Sequence, residues 1–208
     1  DAVVLGHGWD ESRWAERTPP TPAELDRAGG GRKVYLSRAD MHSCVVSTAL
    51  LADAAPDTPG HSADGWLRRG SHHEVRAVAL ASLTPTQRRD AQRTTLRRAA
   101  ALGIAAVHEC GGPGTSSESD FTDLLKLPGT ERLPEVYGYW GELGAAVKAR
   151  DLGAVGAGGD LYADGALGSR TAHLRQSYTD EPASCGHGYL TAAQVADHLV
   201  DCTEHEVQ

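Results

Sequence analysis

The chain has 208 residues, 40% hydrophobic and 23% charged, with a formal net charge of -8, a composition that suits one substantial water-exposed domain or a small one plus part of a larger one. The acidic balance argues against nucleic acid as a partner, since phosphate binding needs clustered cations. No apolar run approaches the roughly 20 residues that span a bilayer, so no membrane association is expected. The chain begins at Asp1 with no basic segment ahead of an apolar core, which gives no sign of a signal peptide and fits a processed or excised piece. Cys44, Cys110, Cys185 and Cys202 are widely and irregularly spaced. They read as reduced, mostly buried thiols of a cytoplasmic protein rather than as a zinc ribbon or a disulfide framework.

In chain order, Val3 to Trp9 reads as a strand running into a glycine loop. Thr21, with Pro22 and Glu24 behind it, is an N-cap followed by proline at the first helical position, and predicts a helix to about Ala28. Gly29 to Gly31 ends it. Lys33 to Arg38 reads as a second strand, with a polar corner at Asp40 and His42. Ser43 to Ala52 suits a short helix. Residues 53–70 hold several glycine and proline turns and read as a long surface loop, a common form for a lid.

From Thr84 the pattern alternates helix and strand. Thr84-Pro85 starts a long helix closed by Gly103. Ile104 to His108 reads as a buried strand, Phe121 to Lys126 as a helix, and Glu135 to Trp140 as a strand. Leu143 to Arg150 reads as a helix and Asp160 to Ala163 as a third strand. Thr191 caps a last helix to His205, with Val195, Leu199 and Cys202 on one face. The basic stretch Arg88 to Arg98 is the solvated face of its helix. Such alternation implies βαβ units and a parallel sheet. Three strands cannot close a barrel, so the sheet is either open or part of a barrel.

Several groups could carry chemistry. On an extended strand Asp160, Tyr162 and Asp164 would share one face, which is unusual for a core strand because buried carboxylates need a partner. The alternative is that Asp164 caps the Gly165 turn and Asp160 lies in solvent. His108-Glu109 sits at a strand end ahead of a glycine-rich loop, where histidine serves either as ligand or as scaffold. Asp40-x-His42 suits a substrate contact or a local hydrogen bond. His72-His73 are adjacent and lack the spacing of a helical metal pair. No nucleophile elbow, phosphate loop or H-E-x-x-H is present.

Taken together, the ordered motifs resemble amidohydrolase family 3, the YtcJ-like metal-dependent hydrolases that include N-substituted formamide deformylase. The matching residues are Gly6-His7-Gly8-Trp9-Asp10 with Trp14, Pro22 to Asp26, Val34 to His42, and Gly103 to Glu109. The most specific is Asp160 to Ala172, similar to the family run K-x-F-x-D-G-S-L-G-S-R-T-A, followed by Tyr178-x-Asp180 and Gly188. The resemblance covers nearly the whole chain.

It implies an α/β fold: a partial (β/α)8 TIM-type barrel, about strands two to four with their helices, in residues 84–208. Residues 1–83 would be a mixed α/β insertion after strand one that lines the substrate pocket. It implies a divalent metal, zinc, one or two in the intact protein, bound largely by an H-x-H pair and later ligands that this chain lacks. Asp160 stands where the family run opens with lysine and is the expected metal ligand; Val46-Ser47 replaces a frequent Asn-Ser. Trp9, Asp10, Arg38, His42, His108 and Arg170 are the expected pocket residues. The implied activity is hydrolysis of a carbon–nitrogen bond in a small-molecule amide or formamide, with this segment inactive alone. A non-catalytic binding or structural module and an unrelated open α/β enzyme are the competing readings, and a homo-oligomer stays open.

Overall fold

The computed structural model describes residues 3–208; Asp1 and Ala2, and with them the expectation about the chain start, lie outside these. The chain divides into two compact units, Asp1–Leu83 with Asp164–Tyr189, and Thr84–Ala163 with Leu190–Gln208. The segment from Asp164 to Tyr189 thus packs with the N-terminal unit, not with the residues on either side of it.

The first unit is built on a four-stranded sheet ordered β1 (Val4–Trp9), β2 (Val34–Arg38), β3 (Ser43–Val46) and β4 (Trp66–Arg68). β1 and β2 are parallel; the other two pairings are antiparallel. Helix α1 (Pro22–Gly29) starts as the sequence predicts, with Thr21 and Glu24 forming a reciprocal capping box that satisfies backbone donors left open at a helix start. Gly30 ends it in the left-handed region at φ 61, where glycine has no Cβ penalty. Leu25, Val34 and Val45 pack on one face of the sheet. Tyr35, Cys44, Val46 and Leu67 pack on the other, with Leu50 from α2 (Thr48–Leu51) and Val75 and Ala79 from α3 (Arg69–Ala81).

Two expectations fail here. Ser43 to Ala52 is mostly not helix: Ser43–Val46 is a strand buried on both faces, and only Thr48–Leu51 is helical. A four-residue apolar run carries no periodicity that separates strand from helix. The loop expected over 53–70 contains β4 and the start of α3.

The second unit has a two-stranded parallel sheet, β5 (Ala106–Gly111) beside β6 (Glu135–Trp140). Helix α4 (Pro85–Ala101) opens with a Thr84–Gln87 capping box, and Gly103 follows its end at φ 79. Thr84→Ala should cost about 1 kcal/mol, read as a lower thermal midpoint with unchanged far-ultraviolet dichroism. Leu96 of α4 and Leu124 and Leu127 of α5 (Glu118–Thr130) cover Val107 and Val136. Phe121 and Trp140 meet edge-on at 5.2 Å and pack with Ala146 and Ala149 of α6 (Ala146–Asp151) and Cys202 of α7 (Ala192–Glu204).

Four further expectations are corrected. β5 is not a buried strand: His108 and Cys110 are exposed and only its other face packs on helices. The third strand is not at Asp160 to Ala163. It is reduced to one parallel bridge, Tyr139 to Gly156, because Gly158-Gly159 interrupts the extended chain and Gly159 and Tyr162 take φ 83 and φ 50. Asp160, Tyr162 and Asp164 therefore share no strand face. On α7 the buried residues are His198 and Cys202, while Val195 and Leu199 are exposed. Two of the four thiols, Cys110 and Cys185, are exposed, against the expected burial. Among the described residues no helix is long and apolar enough to cross a membrane.

Candidate functional site

In the first unit the expected pocket residues gather around one guanidinium. Arg38, at the end of β2, donates from Nε to Glu11 Oε2 at 2.8 Å, from Nη2 to Asp10 Oδ1 at 3.0 Å and from Nη1 to Asp40 Oδ2 at 2.9 Å. Its side chain is 7% exposed and that of Glu11 6%. Burial disfavours the Arg38 cation, but the Glu11 hydrogen bond and three carboxylates outweigh it and raise its pKa. The guanidinium also lies 5.9 Å from the Trp9 ring, and Trp9 is held by its Nε1 donating to Leu36 O at 2.9 Å. A start of β1's following 3-10 turn at Asp10 places the two acids side by side, Asp10 also accepting from Ser12.

The last part of the Asp160 to Ala172 run locks onto this cluster. Ser169 Oγ donates to Asp40 Oδ2 at 2.7 Å. Arg170 reaches Glu11 at 3.5 Å through Nη1 and pairs with Asp180 through Nε at 2.9 Å. Gly168 is required by close approach: a Cβ there would stand 2.5 Å from Arg38 Nη1 and 2.7 Å from Asp40 Oδ2. The motif positions beyond it hold the same segment. Tyr178 Oη donates to Ala172 O at 2.7 Å, and a Cβ on Gly188 would meet His173 Nδ1 at 2.8 Å. Asp164 accepts from the His173 N–H at 2.8 Å, a tie across nine positions rather than a cap on the Gly165 turn. So Trp9, Asp10, Arg38 and Arg170 do come together, but around an internal ion cluster whose arginine donors are taken up by its own carboxylates. Glu11, its most buried acid, carries no sequence signal beyond standing next to Asp10.

The ring of His42 is not part of that cluster, although its backbone is tied to it. Its backbone N–H donates to Asp40 Oδ1 at 3.1 Å, and its ring lies near His72 and His73. His72 is wholly buried, and its Nε2–H donates to Met41 O at 2.9 Å while Nδ1 has no partner. Burial first, then His73, Arg76 and His42, lower its pKa from 6.5 to about 3.

In the second unit His108 stacks on Tyr139 at 5.5 Å with an interplanar angle of 13°. The neighbouring Glu109 is half-buried, and burial and then the Asp160 charge raise its pKa. Cys110 is raised by burial, Asp160 and Glu109 in that order. Asp160 is held by tight backbone packing, since a Cβ on Gly141 would meet its carbonyl carbon at 2.8 Å. Sequence reasoning weighed Glu109 only as the companion of His108; its pairing with Asp160 had no signal. It also missed His198, whose Nδ1 accepts from Gly144 N–H and whose Nε2–H donates to Ala157 O.

Two carboxylates and a thiol near one another are chemically suited to a cation, but they are not a set. Among the described residues no three His, Cys, Asp or Glu side chains are placed to hold a metal ion, and a zinc site takes three or four protein ligands. These residues alone do not fit a complete metal centre.

A model of the amidohydrolase family matches residues 1–208. The chain belongs to the amidohydrolase family. Among solved structures it is similar to an uncharacterized metal-dependent hydrolase from Pyrococcus furiosus, with 21% identity and a TM-score of 0.61 over 99% of this chain and 45% of that one. A second, from Pyrococcus horikoshii OT3, gives 20% identity and a TM-score of 0.67 over 100% of this chain and 44% of that one. These likenesses show a shared fold, and the chain spans under half the length of either structure. No curated protein matches it.

Proposed function

We propose that the protein carrying this chain is a metal-dependent hydrolase of a non-peptide carbon–nitrogen bond in a small amide or formamide, of the YtcJ-like kind that includes N-substituted formamide deformylase. The observation that carries this is the amidohydrolase family match along residues 1–208. In this reading Thr84–Ala163 contributes part of a TIM-type barrel, and the first unit is the insertion that shapes the pocket. The protein works in the cytoplasm on a small molecule.

The cofactor is a divalent metal, zinc, most of whose ligands come from outside these residues. Asp160 is this chain's candidate oxygen ligand, with Glu109 beside it. A cation there would offset both the burial and the like charge that now hold the Glu109 carboxyl above its usual range. Trp9, Asp10, Arg38 and Arg170 act as the frame of the insertion, and His42 and His108 remain the candidates for substrate contact.

The test is metal content and amide hydrolysis by the whole protein, purified without chelator. We expect about one or two metal ions per chain and turnover of at least one N-substituted amide or formamide. Asp160→Asn should weaken metal retention at least about tenfold. A metal-free, inactive whole protein would end the hydrolase reading; unchanged metal content in Asp160→Asn would remove Asp160 alone.

A further inference from the structure

The first unit contains a cavity of about 380 Å³ whose wall includes Trp66, Arg68, Arg69, Arg170, Glu181 and Ser184. Its volume is that of a small-molecule site. Three arginines and two acids, Asp64 and Glu181, line it; Arg170 is taken up by Asp180 and Glu11, which leaves Arg68 and Arg69 as its available cations. Asp64 is also engaged, since its Oδ1 accepts from the Trp66 backbone N–H at 2.9 Å.

The donors here are not satisfied. Arg68 lies over the Trp66 ring at 4.2 Å, with its Nε buried and unpartnered. Its nearest acid, Glu181, stands 3.6 Å from Nη1, too far for a good hydrogen bond. Trp66 Nε1 is likewise buried without a partner. Arg69 pairs with no carboxylate among the described residues, and Nη2 reaches only Ser184 Oγ at 3.5 Å. Unpaired buried donors are costly and call for an explanation.

The backbone is also strained at this wall. Arg69 and Arg170 take φ 51 and φ 54, a region that non-glycine residues enter rarely and at a cost, and where such strain occurs it gathers at ligand clamps. Both are cations lining the same cavity.

We infer that this cavity is a binding site for a small organic carboxylate, taken up by the Arg68 and Arg69 guanidinium groups over the Trp66 ring. A planar carboxylate matches the guanidinium fork. With Glu181 displaced, Arg68 and Arg69 face only Asp64 among the lining acids, an excess of one cation that a single negative charge fits and a phosphate dianion exceeds. Glu181, loosely placed beside Arg68, is the internal competitor that the ligand displaces. The inference does not depend on the hydrolase reading, because the site lies wholly within the first unit.

The test is calorimetric titration of the chain with acetate, benzoate and, separately, inorganic phosphate. Benzoate should bind saturably. Arg69→Asn keeps a side chain that tolerates positive φ and should weaken benzoate about tenfold or more without lowering the melting temperature. Glu181→Gln, on an exposed side chain, should bind benzoate more tightly. The opposite responses separate a ligand site from a structural one, and the second variant keeps the test open should the first misfold. No saturable carboxylate binding up to about 10 mM, an Arg69→Asn chain that binds as well, a Glu181→Gln chain that binds no tighter, or phosphate preferred over benzoate would each overturn the inference.

Discussion

Arg38→Ala should lower the stability of the first unit by about 3–5 kcal/mol, the largest loss expected from any single replacement in the ion cluster. Three carboxylates lose their common cation at once, and one of them, Glu11, stays buried with a 6% exposed side chain and only the 3.5 Å contact to Arg170 in place of its 2.8 Å hydrogen bond from Arg38. A buried charge that loses its partner costs far more than the pair contributes when intact, because its desolvation is then uncompensated. Against a total of about 5–15 kcal/mol for a typical domain, that loss is enough to leave the unit partly unfolded. Urea denaturation at neutral pH measures it as a lower midpoint with little change in slope. Arg38→Lys keeps the charge but not the fork, and should fall between the two. Pairing Arg38→Met with Glu11→Gln removes the stranded charge, so the double variant should be more stable than Arg38→Met alone. An Arg38→Ala chain that melts within about 1 kcal/mol of the parent would show that the cluster is not a structural tie. Arg38 would then return to the list of substrate contacts.

That cluster marks where sequence reasoning stops. The family resemblance points to Asp10, Arg38 and Arg170, but not to their partners. Arg38 meets Glu11 across 27 positions, and Ser169 meets Asp40 across 129. Only the folded chain closes such distances. Local signals fared better. Thr21, Thr84 and Thr191 each cap a helix with the N3 side chain answering back, since a capping box is written within four residues. β6 begins and ends where its β-branched and aromatic run does.

Failures came where local pattern was ambiguous or was overridden. The alternation at Asp160 to Ala163 looks extended, yet Tyr162 is at φ 50 and its neighbours form no ladder. Helix α3 begins at Arg69 in a left-handed conformation, with no side-chain cap. No start signal is there to be read. At Asp160 itself the sequence supplied the residue and the resemblance supplied the role. Its nearness to Glu109 came only from the fold, which packs Gly141 against the Asp160 backbone.

The second large effect concerns acid stability and rests on His72. The ring is fully buried on α3, stacked 6.2 Å from Tyr35. His73 and Arg76 on its own helix and His42 from the β2–β3 corner all oppose a charge there, while the hydrogen bond to Met41 O favours one. Burial is the dominant cause, and the pKa falls from 6.5 to about 3. The folded state therefore binds fewer protons than the unfolded state between those two values. Stability rises with pH across that window and is lost as pH falls through it. The full window is worth about 5 kcal/mol, of which about 2–3 kcal/mol should be gone by about pH 4.5. Asp10, whose carboxyl is held below its usual range first by the Ser12 hydrogen bond, adds its own acid sensitivity lower in the range, so the comparison must be with a variant. His72→Gln keeps an N–H donor for Met41 O and removes the titrating group. It should be less stable than the parent at neutral pH, because its amide oxygen lacks a donor, yet lose much less stability between pH 6.5 and about 4.5. Urea midpoints across that range give the two slopes. Parallel slopes would mean that His72 takes up its proton as readily in the folded chain as in the unfolded one, and the unpartnered Nδ1 would then need a proton acceptor that the packing around Tyr35 does not supply.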